Sequence, residues 1–307
     1  MNEIAIYQRE ISRVALLTNP AAGKGVAKAK SASAERRFNE LGIDVVSISG
    51  ATPAASAELA HEAVASGVDA LVVCGGDGLI NLALQAQATT DVPLGIIPAG
   101  TGNDHAREYG LPLDPEKAAE LIARGVCLRT DLGVMRTDSG HERFFGTCVT
   151  QGFDSIVTER TNTISWPKGS ARYVVAILLE FLHFHSIPSK IYLDGTLEID
   201  EQITLAAVGN TRSYGGGMKI CPDALHSDGL LDLTVLGRMN RYNVAKKFPR
   251  IYTGNIRSVD GVHQYRAKEI RIEMPNMPVY ADGDRFDLLP ITYSVARNAG
   301  FYLIPTP

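Results

Sequence analysis

Two glycine clusters, each carrying an aspartate, are the residues best suited to chemistry. The first is Cys74-Gly75-Gly76-Asp77-Gly78 and the second is Pro98-Ala99-Gly100-Thr101-Gly102-Asn103-Asp104. Each follows a short apolar run, Ala70 to Val73 and Leu94 to Ile97. Glycines at a strand end let the backbone come close to a ligand and point N–H groups at it. A carboxylate in such a loop repels phosphate unless a metal ion sits between them. Glycine loop plus Asp, twice, therefore reads as a nucleotide–Mg²⁺ site. Gly75, Gly76, Gly78 and Gly100 would cradle phosphate, Asp77 would face the metal, and Thr101 offers a hydrogen bond to phosphate or base edge. The plainer alternatives are a tight turn for each cluster and an N-cap for Asp104, which opens a helix. Asp77, flanked by Gly76 and Gly78, is expected to pack little.

A third loop, Asn19-Pro20-Ala21-Ala22-Gly23-Lys24-Gly25, lies between an apolar strand and a helix-forming stretch. Backbone N–H groups at a helix start suit an anion, and Lys24 could add a charge. No Gly-Lys-Ser/Thr closes the loop, so it is not a Walker sequence. A surface turn with a solvated lysine is the alternative.

The elements that must position these loops alternate. Strands are expected at Arg13–Thr18, Val45–Ile48, Ala70–Val73 and Leu94–Ile97. Helices are expected at Val26–Leu41, Thr52–Ser66, Leu79–Ala88 and Pro115–Arg124. Such alternation implies a doubly wound parallel sheet in a three-layer α/β/α unit, with ligands at the carboxyl ends of its strands. From about Leu128 strand-like segments dominate: Leu128–Met135, Arg143–Thr150, Lys190–Leu193, Gln202–Val208, Leu231–Leu236, Glu269–Met274 and Val279–Ala281. They read as an antiparallel β-sandwich, interrupted by a helix from about Ser170 to His185. Core packing is the default for that helix. The alternative is a wall of a lipid-tail pocket, with Tyr173, Ile177 and Phe181 lining it and Ile164, Trp166 and Pro167 as a membrane-facing lip.

At 307 residues the chain exceeds the length at which single cores stop growing. The expected organisation is an α/β nucleotide domain over 1–130, a β-sandwich substrate domain over 131–295, and a segment, 296–307, returning to the first. A net charge of −4 gives no global basic field for nucleic acid or anionic lipid. The four cysteines, Cys74, Cys127, Cys148 and Cys221, show no zinc spacing and read as reduced thiols of a cytoplasmic protein. The first residues have no apolar signal-peptide core, and no apolar run approaches the ~20 residues of a membrane span.

The paired motifs resemble the catalytic domain of diacylglycerol kinases and sphingosine-kinase-like lipid kinases. Gly-Gly-Asp-Gly is followed by Gly100-Thr101-Gly102-Asn103-Asp104-His105-Ala106-Arg107, close to the family's Asn-Asp-Phe-Ala-Arg. Asn19 to Gly25 looks like the family's first signature. Gly215-Gly216-Gly217, Pro222-X-Ala224, Asp228-Gly229-Leu230-Leu231-Asp232 and Asp282-Gly283-Asp284 look like its C-terminal pattern. The resemblance implies ATP and Mg²⁺ as cofactors. It implies nucleotide contacts from Asn19, Pro20, Gly23, Lys24 and Asn103 beside the glycines. It implies that Asp77, Asp104 and Asp131 organise Mg²⁺ and water. It implies a structural cation held by the Asp228 side chain with the Leu225 and Leu231 carbonyls. Asp284 stands where the family has a glutamate that orients or deprotonates the acceptor hydroxyl. A strand-start Asp, an Asp-Gly turn and a hairpin turn are the alternatives for Asp131, Asp228 and Asp284. The chain departs from the family at Leu79, usually Thr, at Leu82, usually Glu, at His105, usually an aromatic, and at Asp284.

The implied function is an ATP- and Mg²⁺-dependent kinase of diacylglycerol or a related lipid. Its acceptor is met at a membrane surface by a peripherally associated cytoplasmic enzyme, and a homodimer is left open. The competing readings are an NAD kinase-like enzyme and a non-catalytic lipid or nucleotide binder.

Overall fold

The computed structural model describes residues 6–19, 26–152, 186–239, 247, 250, 253–275, 277, 279–282, 284–286 and 290–306. The chain forms two compact units, Met1–Leu132 with Ala296–Pro307, and Gly133–Val295.

The first unit contains β1 (Ile6–Gln8), β2 (Arg13–Thr18), α1 (Val26–Glu40), β3 (Asp44–Ile48), α2 (Pro53–Ala65) and β4 (Ala70–Gly75). It continues through α3 (Asp77–Gln87), β5 (Leu94–Pro98), α4 (Asp104–Glu108), α5 (Pro115–Ala123) and the start of β6 (Val126–Thr137). Parallel pairing gives the order β3-β2-β4-β5, with Tyr302 of the last strand, Ile291–Leu303, alongside Leu94. The order reverses between β2 and β4, the switch point at which open α/β sheets bind ligands. Every residue of β4 and β5 is buried, as parallel strands covered by helices must be.

Local chemistry sets the helix starts. Thr52 caps α2 by accepting from Ala55 N–H at 3.1 Å, with Pro53 in its first turn. Asp114 caps α5 by accepting from Glu116 and Lys117 N–H at 3.1 and 3.0 Å. α1 buries Ala27, Ala34 and Phe38, one face of a helix. Its outer face pairs with α5, Arg36 to Glu116 at 2.7 Å and Arg37 to Glu120 at 2.9 Å.

Two expectations change here. α3 begins at Asp77, not Leu79, because the Gly76 carbonyl already accepts from Ile80 N–H at 3.1 Å. The helix expected to open at Asp104 is α4, and its cap position is Asn103, in the left-handed conformation at φ 53°. Asp104 is therefore its first helical residue and not its N-cap.

The second unit is antiparallel. It contains β7 (Glu142–Phe145), β8 (Cys148–Gly152), β9 (Ile187–Leu193), β10 (Thr196–Gly209), β11 (Leu231–Gly237) and β12 (Val262–Ala267). β13 (Glu269–Glu273), β14 (Val279–Ala281), β15 (Asp284–Phe286) and the first part of β16 (Ile291–Leu303) complete it. β10 is its spine, pairing with β9 along its first part and with β8 and β11 along its second. Ala206 and Val208 enter one apolar cluster, Leu205 and Ala207 another, the period of two of a strand covered on both faces. The segment Arg143–Thr150, read as one strand, is two. Gly146 and Thr147 send their N–H groups to the Asp282 carboxylate at 2.8 Å each instead of to a ladder. The helix expected at 170–185 lies outside the described residues.

Candidate functional site

The ends of β2, β4 and β5 stand in register: Thr18 pairs with Cys74, and Gly75 with Pro98. The loops that follow β4 and β5 thus leave the sheet side by side. Gly76 and Gly100 face each other across them. A Cβ on Gly100 would lie 2.5 Å from the Gly76 Cα, and one on Gly76 would lie 3.2 Å from the Gly100 Cα. These glycines are needed for the loops to pack on each other, apart from any ligand. Asn103 locks the second loop, accepting from Gly100 N–H and donating to the Gly100 carbonyl, both at 3.0 Å. Leu79 fills the space over Gly75, where a Cβ would come within 2.7 Å of its Cδ2.

Asp77 is more embedded than its glycine neighbours suggest, with only 16% of its side chain exposed. Its Oδ1 accepts from Asp104 N–H at 2.9 Å and His105 N–H at 3.4 Å, and meets His105 Nδ1 at 3.5 Å. Asn103 spends its side chain on Gly100, so Asp77 caps α4 from another helix. Burial pushes the Asp77 carboxyl up. The His105 ring, its N–H and the Asp104 N–H outweigh this and hold the carboxyl below its usual value. Among the described residues, Oδ2 takes no hydrogen bond. An ionised carboxylate with one free oxygen beside two sets of loop N–H groups suits a nucleotide-bound cation.

Sequence reading missed Lys30. Its ammonium donates to the Pro98 carbonyl at 2.7 Å and the Leu113 carbonyl at 2.9 Å, tying α1 to the end of β5 just before the second glycine loop. The signal was present. Lys30 shares the helix face of Ala27, Ala34 and Phe38, and a lysine on an apolar stripe has to find a buried acceptor.

Other expected residues have different local partners. Asp104 is buried and pairs with Arg107 at 2.7 Å, and Arg107 also donates to the Gly102 carbonyl at 3.1 Å. Thr101 is exposed on the loop. Asp131 is 2% exposed. It accepts from Asn298 N–H at 3.0 Å and lies 3.3 Å from Arg297 Nε, so it holds the returning strand. Asn19 follows β2, while Pro20, Gly23 and Lys24 lie outside the described residues, as do Trp166, Tyr173, Ile177 and Phe181.

In the second unit, Ala281 of β14 pairs with Asp284, which opens β15. Asp282 adopts φ 48° and its carboxylate accepts from Gly146 N–H, Thr147 N–H and the Thr147 hydroxyl. Asp194-Gly195 repeats the device between β9 and β10. Both residues have positive φ, the geometry of a type I′ turn, and Asp194 accepts from Lys268 and Glu269 N–H at 3.0 and 2.9 Å.

Asp228 lies in the turn that leads into β11. Its Oδ1 accepts from Leu230 N–H at 3.1 Å, and its Oδ2 pairs with Arg266, whose Nε also lies 3.2 Å from Asp232. The Arg266 guanidinium thus stands beside the carboxylate for which the resemblance implies a cation held with the Leu225 and Leu231 carbonyls. Among the described residues, no cluster of three or more His, Cys, Asp or Glu could hold a metal ion. All four cysteines are free and buried, and burial pushes Cys74 and Cys127 up to about 11.

Comparison with known proteins agrees with this architecture. The family described as diacylglycerol kinase catalytic domain matches residues 13–135. The family described as YegS C-terminal NAD kinase beta sandwich-like domain matches residues 147–299. A protein of Mycobacterium tuberculosis named diacylglycerol kinase is 47% identical over 295 residues, covering 96% of each chain. A probable lipid kinase YegS-like of Pseudomonas fluorescens is 36% identical over 184 residues, 58% of each chain. Among solved structures, a putative diacylglycerol kinase from Bacillus anthracis shares the fold at TM-score 0.76 and 22% identity, over 97% of this chain and 98% of that one. An NAD kinase from Archaeoglobus fulgidus shares it at TM-score 0.53 and 15% identity, over 94% and 93%. An α/β unit with paired glycine loops, a β-rich unit, and near-complete coverage by the mycobacterial relative together assign the chain: it belongs to the diacylglycerol kinase family of kinases.

Proposed function

We propose that this protein transfers the γ-phosphoryl group of ATP, with Mg²⁺, to the hydroxyl of diacylglycerol or a closely related lipid, giving a phospholipid such as phosphatidic acid. The observation that carries the reading is the 47% identity, over 96% of both chains, to a protein named diacylglycerol kinase. The facing glycine loops and the ionised Asp77 beside them support it.

Phosphoryl transfer asks a protein mainly for positioning and charge neutralisation. On this reading, the N–H groups around Gly75–Gly78 and Gly100–Asn103 hold the phosphates. Asp77 holds Mg²⁺ through the oxygen that α4 leaves open. When bound, Mg²⁺ neutralises charge on the transferred group. Lys30 fixes the strand end from which the second loop springs. Asp104 and Asp131 act through Arg107 and the returning strand, as supports of the site. Asp284, at the start of β15, accepts or orients the acceptor proton. The lipid is met at a membrane surface from the cytoplasmic side; among the described residues no helix is long and apolar enough to cross a membrane.

The test is label transfer from γ-labelled ATP to a panel of acceptors presented in mixed micelles, with and without Mg²⁺. Diacylglycerol is expected to be labelled in a Mg²⁺-dependent way, while ceramide, sphingosine, undecaprenol and NAD are labelled far less. Preferential labelling of NAD would move the protein to the NAD kinase branch, whose fold it shares.

A further inference from the structure

His105 stands where the family pattern has an aromatic, and the structure gives that difference a use. The side chain is fully buried. Its Nδ1 lies 3.5 Å from Asp77 Oδ1, the oxygen that also takes the N–H groups of Asp104 and His105. The ring is held from behind. Tyr302 lies 6.3 Å away, tilted by 41°, and Tyr302 is stacked on Tyr109 at 4.5 Å. Burying an imidazole costs free energy that a phenyl ring does not, unless its N–H is used. Here it is directed at the carboxylate that caps α4.

We infer that His105 is a positioning residue for the nucleotide site. Together with the two backbone N–H groups it fixes Asp77 by Oδ1, so that Oδ2 is the atom left for a bound Mg²⁺-nucleotide. Two backbone donors alone set where Oδ1 sits. The His105 ring is a third donor to the same oxygen, and because a carboxylate is planar, a firmer hold on Oδ1 also narrows the directions open to Oδ2. His105 does not touch the nucleotide. This inference rests on the assignment of the glycine loops to ATP and adds a residue outside the family pattern.

The test compares the wild type with His105→Phe, which fills the volume without a donor, and His105→Asn, whose amide nitrogen can replace Nδ1. Mg²⁺-ATP affinity is measured by calorimetry on the full chain, and thermal midpoints are measured without nucleotide. Loss of one contact as long as 3.5 Å, with the net strength of an ordinary hydrogen bond, predicts a Kd for Mg²⁺-ATP about 3- to 10-fold weaker in His105→Phe. His105→Asn should stay within about twofold of wild type if its amide restores most of that bond. A merely structural histidine would lower both midpoints and leave the two affinities alike. The inference is overturned if His105→Phe binds as wild type does, or if both variants weaken equally. If His105→Phe does not fold, a wild-type-like His105→Asn supports the inference and a weakened one overturns it. Asp77→Asn separates the levels. Wild-type binding lost in Asp77→Asn but kept in His105→Phe removes this inference alone. Absence of wild-type binding removes the nucleotide assignment and this inference with it.

Discussion

Single residues carry structural contacts beyond the roles their motifs suggest. Asp77 reads in the sequence as a ligand between two glycines, and the structure adds that it caps α4. Asp282 reads as part of a motif ending at Asp284, yet its own carboxylate ties the hairpin to Gly146 and Thr147. Such double use is hidden in a sequence because an aspartate among glycines carries no sign of which distant N–H it accepts. Lys30 was legible in principle, from its place on the apolar face of α1, but lysine in a helix is normally read as solvated. Lys30→Met keeps the aliphatic stem and leaves the Pro98 and Leu113 carbonyls without their donor. It should cost about 1–3 kcal/mol of stability, read by denaturant unfolding. It should also weaken ATP binding, since the second glycine loop starts at Pro98. Unchanged stability in this variant would show that water replaces the ammonium.

Elements were the most legible level in the first unit. Periodicity and capping residues marked the helices and the four parallel strands, because each is stabilised by local rules as well as by packing. α4, Asp104–Glu108, was legible only as a helix opened by Asp104; its cap, supplied from α3, escaped because nothing in the sequence marks which distant carboxylate accepts its N–H groups. The split between β7 and β8 escaped because it is caused by Asp282, more than a hundred positions away in the chain. At the opposite end of the sheet from the glycine loops, Asp69 performs the matching task for β2. It accepts from Ser12 N–H, the Ser12 hydroxyl and Arg13 N–H at 2.9, 2.7 and 2.8 Å. Burial raises its carboxyl, and these hydrogen bonds with the Arg9 charge bring it below the usual value. A carboxyl lowered by folding contributes stability above its unfolded value near 4, and that contribution is lost as the pH falls through the lower folded value. Asp69→Ala should therefore lower the thermal midpoint at pH 7 by an amount equivalent to about 1–2 kcal/mol. The gap from wild type should narrow below about pH 4. A gap independent of pH would mean that Asp69 acts by packing alone.

At the scale of the whole molecule, the α/β unit followed by a β-rich unit was legible from the change of pattern near Leu128. The glycine motifs carried the family, because loops packed as closely as Gly76 on Gly100 tolerate few residue types. The second unit's chemistry was less legible. A carboxylate in an Asp-Gly turn looks the same whether it binds a cation, an arginine or backbone N–H groups; Asp228 meets Arg266, while Asp194 and Asp282 accept from backbone N–H groups. The central claim is that the nucleotide sits on the loops after β4 and β5. Hydrogen exchange of the full chain, followed by mass spectrometry with and without Mg²⁺-ATP, tests it most directly. The account predicts slowed exchange in peptides covering residues 75–79 and 100–106, where N–H groups would gain phosphate as acceptor. Unchanged exchange in both peptides under saturating nucleotide, with protection elsewhere in the chain, would contradict it.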